Sequence, residues 1–193
     1  MSVEGKKLWQ VLEEHPELKK DPMCDPDRFP RAFEENLLMA IKKNHLAPFR
    51  MNLDDKLTMD GVIKTTDNIP LFFYDAEYTK DELFDKEGKF KFWDIHIPIE
   101  KLKFFKRFKN SVYVRGNLKR VLILRDTAII NGRLITMPNC KHGTEPNVVV
   151  ADRAFISVHT QSALTNNHMK VVPIEKWLHA VKEMFALDLY LVG

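Results

Sequence analysis

The chain has 193 residues, 45% of them apolar and 30% charged, with a formal charge of +3. That length suits one domain with a short appendage, and the apolar fraction excludes global disorder. Two cysteines, Cys24 and Cys140, exclude a disulfide scaffold and fit a reducing compartment. The longest apolar runs, such as residues 69–74 and 148–151, fall far short of the roughly 18 residues that span a bilayer. No apolar segment follows the N-terminal lysines as it would in a secretory signal. The expectation is a cytoplasmic or nucleoid-associated protein with no membrane partner.

Residues 1–28 read as an N-terminal arm, with a short helix over 3–14 ended by His15-Pro16. Residues 29–193 read as a single domain. A helix is expected over 29–44, where Phe33, Leu37, Ala40 and Ile41 make one apolar stripe. Pro30 suits its first turn and Asn44 its end. Glu34 borders the stripe, while Glu35 points to solvent.

From Lys56 the period changes to two. Met59, Gly61 and Ile63 alternate with Asp60, Val62 and Lys64, and a polar turn follows at residues 65–68. A second alternating run puts Leu71, Phe73, Asp75 and Glu77 on one face and Phe72, Tyr74, Ala76 and Tyr78 on the other. Two such runs around a polar turn predict a β-hairpin. Its pairing sets Asp60 opposite a residue between Phe73 and Asp75.

Residues 80–92 are charged and read as a loop, and 98–108 as a helix opened by Pro98. Strands are expected at 112–115 and 120–124, and a pair of short strands around Asn131-Gly132. Residues 148–150 and 155–158 read as further strands, and 173–185 as an amphipathic helix with Trp177, Val181 and Phe185 at helical spacing. The order predicts an α/β (α+β) domain with a mixed central sheet flanked by helices.

The residues with the most chemistry are Asp60, Asp75, Glu77 and Lys80. Hard divalent cations such as Mg²⁺ or Mn²⁺ take one or two carboxylates and complete their shell with water. An ion held this way activates water and stabilises charge on a phosphate. A nearby lysine orients the water or offsets that charge. Carboxylates on adjacent strands repel unless a cation or proton intervenes, and Asp75 and Glu77 continue the same face as Leu71 and Phe73. Other chemistries have weaker signals. Cys140, His142, His159 and His168 follow no paired zinc spacing. Asp152, Ser157 and His159 lack a nucleophile elbow, and no glycine-rich phosphate loop is present.

On these residues, the stretch from Phe29 to about Ile135 resembles the PD-(D/E)XK nuclease superfamily, the restriction-endonuclease-like fold. That family has a helix glutamate, a hairpin aspartate and a (D/E)-X-K triplet, followed by a helix and a strand. Glu34, Asp60 and Glu77 resemble its three acids, and Asp75-Ala76-Glu77 offers a second alignment with an acid in the lysine position. The run 97–101 with Phe104, Phe105 and strand 112–114 resembles the elements after the triplet. The resemblance implies a Mg²⁺- or Mn²⁺-dependent nuclease on DNA or RNA, with Asp60, Asp75 and Glu77 as metal ligands, Lys80 assisting water if the strand bulges, and Glu34 at the edge. Lys103, Lys106, Arg107, Lys109, Arg115, Lys119 and Arg120 would lie against nucleic acid. A homodimer or a partner protein is compatible with it. The alternative is a nuclease-like domain without catalysis, binding nucleic acid or a protein within a larger complex, because Lys80 is one residue out of register.

Overall fold

The computed structural model describes residues 28–44, 46–50, 59–65, 67–79, 83–140 and 149–187. The N-terminal arm and Lys80 lie outside them. A helix α1 (Arg28–Lys43) precedes strands β1 (Ala47–Arg50), β2 (Gly61–Lys64) and β3 (Pro70–Tyr78). Then come β4 (Asp94–Pro98), helix α2 (Ile99–Arg107), β5 (Ser111–Gly116), β6 (Arg120–Arg125) and a short helix α3 (Asp126–Ile130). Strands β7 (Arg133–Cys140) and β8 (Val149–His159), helix α4 (Thr160–Thr165), β9 (Met169–Pro173), a 3₁₀ turn (Ile174–Lys176) and helix α5 (Trp177–Phe185) complete it.

Six strands form the main sheet in the order β1-β2-β3-β5-β6-β9. It is mixed. β3 and β5 run parallel, joined through α2, and every other neighbouring pair is antiparallel. A parallel pair cannot be closed by a tight turn and needs a crossover, which is why α2 lies between them in sequence. A smaller antiparallel sheet, β4-β8-β7, stands beside it.

Helices flank the main sheet as the sequence predicts. On one face Phe33, Leu37 and Ile41 of α1 and Trp177 and Val181 of α5 pack on Ile63, Phe72, Tyr74, Val112 and Val114. Trp177 meets the rings of Phe72 and Tyr74 at 5.9 and 5.8 Å and donates its indole N–H to the Leu37 carbonyl at 3.2 Å. On the other face Phe105 of α2, Ile129 of α3 and Ile97, Ile156 and Val158 of the small sheet pack on Tyr113, Leu122 and Leu124. Val112, Tyr113 and Val114 are consecutive and all at 0% exposure. That is the pattern of a central strand covered on both faces.

Helix α1 ends where expected, with the Asn44 amide donating to the Ala40 carbonyl at 2.8 Å. Several elements differ from the sequence reading. Residues 126–130 are helical, not a strand before the Asn131-Gly132 turn: Ala128 and Ile129 are buried in the core with Tyr113, Leu122 and Leu124, and this packing overrides the strand propensity of Ile129-Ile130. The two strands expected at 148–150 and 155–158 are one strand, β8. β4, whose Ile95 and Ile97 alternate around His96, and α4 and β9 were not among the expected elements. The segment read as a loop after Lys80 contains a closed turn, with Phe84 bridged to Phe90 and Gly88 at φ 83°, a left-handed position open to glycine.

Candidate active site

The site lies where β2 and β3 meet the start of α2. The register pairs Gly61 with Tyr74 and Val62 with Phe73, so Asp60, one residue before β2, falls opposite Asp75. This is the hairpin pairing the sequence predicts. The Ala76 N–H donates to Asp60 Oδ2 at 2.6 Å, which holds the aspartate against β3. Strand alternation puts Asp75 and Glu77 on one face, beside the apolar layer that holds Phe73.

Asp75 is buried, at 7% exposure. Burial raises its pKa, opposed by the Lys101 ammonium and reinforced by the charge of Glu77. Asp60 keeps an exposed edge, yet its carboxyl is crowded against β3. Desolvation, then the charge of Asp75, lift it to about 6; the Ala76 hydrogen bond and Lys101 pull it down, and Glu34 adds a small push upward. Glu34 is therefore within electrostatic reach of Asp60, on the exposed side of α1.

The lysine of the site is Lys101, in the first turn of α2. Its ammonium bonds Asp75 Oδ2, stands 3.9 Å from Glu77 Oε2 and lies 5.3 Å from the centre of the Tyr113 ring. The sequence reading had placed Lys101 only in a basic run along the helix. A crossover helix starts beside the carboxyl ends of the parallel strands it connects, and that rule is the signal that could have found it.

Glu77 has its own partners. The Tyr113 hydroxyl donates to Glu77 Oε2 at 2.6 Å, and Arg115 Nε stands 3.7 Å from Glu77 Oε1. Tyr113 is fully buried and beside the Glu77 charge, so its phenol is held well above its usual pKa. The three acids do not close on one point. Among the described residues, no three His, Cys, Asp or Glu side chains stand together in a group able to hold a metal ion. Two charge-coupled carboxylates, Asp60 and Asp75, nevertheless suit a hard cation that takes most of its shell from water.

Of the basic residues expected on nucleic acid, Lys103, Lys106, Arg107 and Lys109 are exposed along and just after α2, while Phe104 and Phe105 are buried. Lys119 is exposed in the β5–β6 turn. Arg115 is half-buried against Glu77 and belongs to the site rather than to an open basic face. Arg120 is half-buried, with its guanidinium packed on Gly88.

Comparison with family models, with curated proteins and with solved structures gave no match. Among the described residues, no helix is long and apolar enough to cross a membrane.

Proposed function

We propose that the chain is a metal-dependent nuclease of the PD-(D/E)XK type, hydrolysing phosphodiester bonds, in which a lysine from the crossover helix does the work of the triplet lysine. One observation carries this reading: Lys101 on α2 meets Asp75 and Glu77 on β3, next to Asp60 at the start of β2. In the Asp75-Ala76-Glu77 alignment an acid stands where the lysine belongs, and the Lys101 ammonium reaches both acids of that triplet from α2. The element order agrees with the resemblance, since a glutamate-bearing helix, a hairpin, an acidic strand, a helix and a parallel strand follow in turn.

Asp60 and Asp75 would hold the Mg²⁺ or Mn²⁺. Bound there, the cation would supply a water nucleophile at neutral pH and stabilise charge on the phosphate. The chain's own residues do the rest. Lys101 orients a water or a phosphate oxygen through its ammonium and offsets developing negative charge. Glu77 faces the Lys101 ammonium at 3.9 Å, and Tyr113 and Arg115 hold Glu77. Exposed Lys103, Lys106, Arg107 and Lys109 neutralise backbone phosphates of DNA or RNA.

The test is a Mn²⁺ titration followed by thermal unfolding and by cleavage of DNA and RNA, on wild type, Asp60→Ala and Lys101→Ala. The reading expects metal stabilisation in wild type and in Lys101→Ala but not in Asp60→Ala, and cleavage in wild type alone. Metal stabilisation without cleavage in wild type would favour the non-catalytic alternative. That alternative has its own support in the Lys101–Asp75 ion pair, which neutralises one acid with no metal present.

A further inference from the structure

Arg115, the neighbour of Glu77, also lines a cavity of ≈ 210 Å³, with Phe90, Phe92, Asp94 and His96 among aliphatic side chains in its wall. A cavity of about 150 Å³ accommodates benzene, so this one is sized for a single planar ring system such as a nucleobase. Phe90 and Phe92 face it, and Phe84 packs on Phe90 from behind: the rings meet edge-on in turn, with centres 6.3 and 5.5 Å apart. Arg115 joins the cavity to the site: its Nε is buried, makes no hydrogen bond and stands 3.7 Å from Glu77.

The rim is unusual for a soluble surface. Phe92 is 50% exposed and Trp93 78% exposed. Large apolar side chains are seldom placed side by side in water without a partner. Their backbone is fixed, however. The Thr160 hydroxyl donates to the carbonyls of Phe92 and Trp93 at 3.0 and 2.9 Å, and the Thr160 N–H donates to Trp93 at 2.8 Å. Two exposed rings are thus presented from a rigid edge beside a ring-sized cavity. Lys89 and Lys91 alternate with Phe90 and Phe92 and are exposed, Lys89 standing 2.6 Å from Glu87, and the Arg115 guanidinium faces the cavity together with Asp94. Aromatics interleaved with cations suit a polyanion with free ring faces better than an apolar protein surface.

We propose that this edge receives an unpaired polynucleotide strand, one base entering the cavity against Phe90 and Phe92 and a neighbouring base stacking on Trp93. The inference rests on the nuclease reading for what happens to the strand, and it names the substrate class: single strands, frayed ends or extruded nucleotides rather than intact duplex. A base paired within a helix offers only its edges; stacking on a protein ring, or entry into a pocket, requires it to leave the stack. The recognition uses ring faces and charge, so it serves unpaired DNA and RNA alike.

The experiment reads binding apart from cleavage. The chain has three tryptophans, of which Trp177 is fully buried, so in a Trp9→Phe background Trp93 is the tryptophan open to stacking. Emission is followed in EDTA during titration with oligo-dT, oligo-U and a blunt duplex. The expected result is quenching by both single strands, duplex affinity lower by about tenfold or more, and, read by anisotropy of dye-labelled oligo-dT because the variant lacks the reporting ring, a loss of about tenfold in single-strand affinity on Trp93→Ala. Trp93→Ala removes a solvent-exposed ring, and matching circular dichroism confirms that it folds. Single strands that neither quench nor bind better than duplex overturn the inference. If metal-dependent cleavage sensitive to Asp75→Ala persists in that case, the nuclease reading stands without it. Quenching with no cleavage under any metal has the opposite meaning: the strand site holds and the catalytic reading fails. If no oligonucleotide binds and Trp93→Ala abolishes self-association or capture of a protein, the edge is a protein contact and the inference is overturned.

Discussion

Tyr113 and Glu77 lie on neighbouring parallel strands, and the buried phenol donates to the half-exposed carboxylate at 2.6 Å. The ring lies between the core, where Phe105 meets it edge-on at 6.4 Å, and the Lys101 ammonium 5.3 Å from its centre. Its hydroxyl is therefore a single polar atom reaching from the core to the site. Tyr113→Phe keeps the ring and removes that atom. A hydrogen bond to a charged acceptor is worth roughly 1.5–3 kcal/mol when buried, and the partial exposure of Glu77 places the loss near the bottom of that range. The expected result is a melting temperature lower by about 2–4 °C for each kcal/mol lost. Turnover should fall more than substrate affinity, because Glu77 would no longer be fixed against Lys101. An unchanged melting temperature and unchanged kcat would remove Tyr113 from the support of the site.

Asp60 makes the site sensitive to pH. Its carboxyl titrates at about 6 in the folded chain against an ordinary value of 3.8. Between those two values the folded state binds more protons than the unfolded chain, so the slope of stability with pH is negative. The contribution is complete below about pH 4 and is lost as pH rises through 6. Asp60→Asn keeps an oxygen for the Ala76 N–H and removes the titration. It should be more stable than wild type at pH 7, by about 1 kcal/mol once screening at its exposed edge is allowed for. The advantage should vanish near pH 4. Denaturant melts at both pH values check this, and an advantage that grows toward acid would refute it. Mn²⁺ should reverse the order at neutral pH, because an ion on Asp60 and Asp75 stabilises the folded wild type by mass action.

Lys101 and Asp75 are 26 residues apart in sequence and share a bond in which the acid is buried. Removing the cation leaves an enclosed carboxylate without its partner, a change that costs about 3–5 kcal/mol for fully buried pairs. Lys101 is only partly buried, so Lys101→Met should cost about 1–3 kcal/mol by the same reasoning. Saturating Mn²⁺ should recover part of that loss, because the ion would then be the only cation facing Asp75. Cleavage should not return with it. Lys101→Arg keeps the charge but brings a planar, wider head group, so it should restore stability better than activity. Unfolding curves with and without Mn²⁺, run beside cleavage assays, separate the two effects. Full activity in Lys101→Met would show that the lysine pairs with Asp75 for stability alone.

What the sequence made legible follows from range. Alternation along 69–78 and the polar turn before it are local, and they were enough to put Asp60 opposite a residue between Phe73 and Asp75; the observed register makes that residue Asp75. The stripe of Phe33, Leu37, Ala40 and Ile41 was equally plain. Lys101 was hidden because its role depends on where a crossover returns, and nothing in residues 99–107 alone distinguishes it from Lys103 or Lys106. Tyr113 and Arg115 looked like a strand aromatic and a surface cation for the same reason. Lys80 attracted attention by its nearness to Glu77 in sequence, and it lies outside the described residues. Helix α3 was misread because Ile129-Ile130 before an Asn-Gly turn has strong strand propensity, while what fixes the helix is distant in sequence: Ala128 and Ile129 pack in the core and Asp126 accepts from the Ser111 N–H of β5 at 3.3 Å.

Gly116 closes the parallel strand pair that carries the site. It ends β5 opposite Val121, directly after Arg115, and the chain reverses through Asn117, whose N–H donates to the Arg120 carbonyl at 3.0 Å. A Cβ at position 116 would press into that same carbonyl and the Val121 backbone. Backbone cannot swing aside as a side-chain end can, so Gly116→Ala must shift the β5–β6 turn. Overpacking of this kind costs roughly 1–3 kcal/mol. Arg115 would move with the turn, away from Glu77 and from the aromatic cavity. Gly88→Ala is the comparison: its added methyl meets the end of the flexible Arg120 side chain, and its main cost is the left-handed backbone, on the order of 1 kcal/mol. Gly116→Ala should therefore lose both stability and single-strand affinity, while Gly88→Ala loses stability with affinity changed by less. Equal affinity losses in the two variants would show that the β5–β6 turn does not set the position of Arg115.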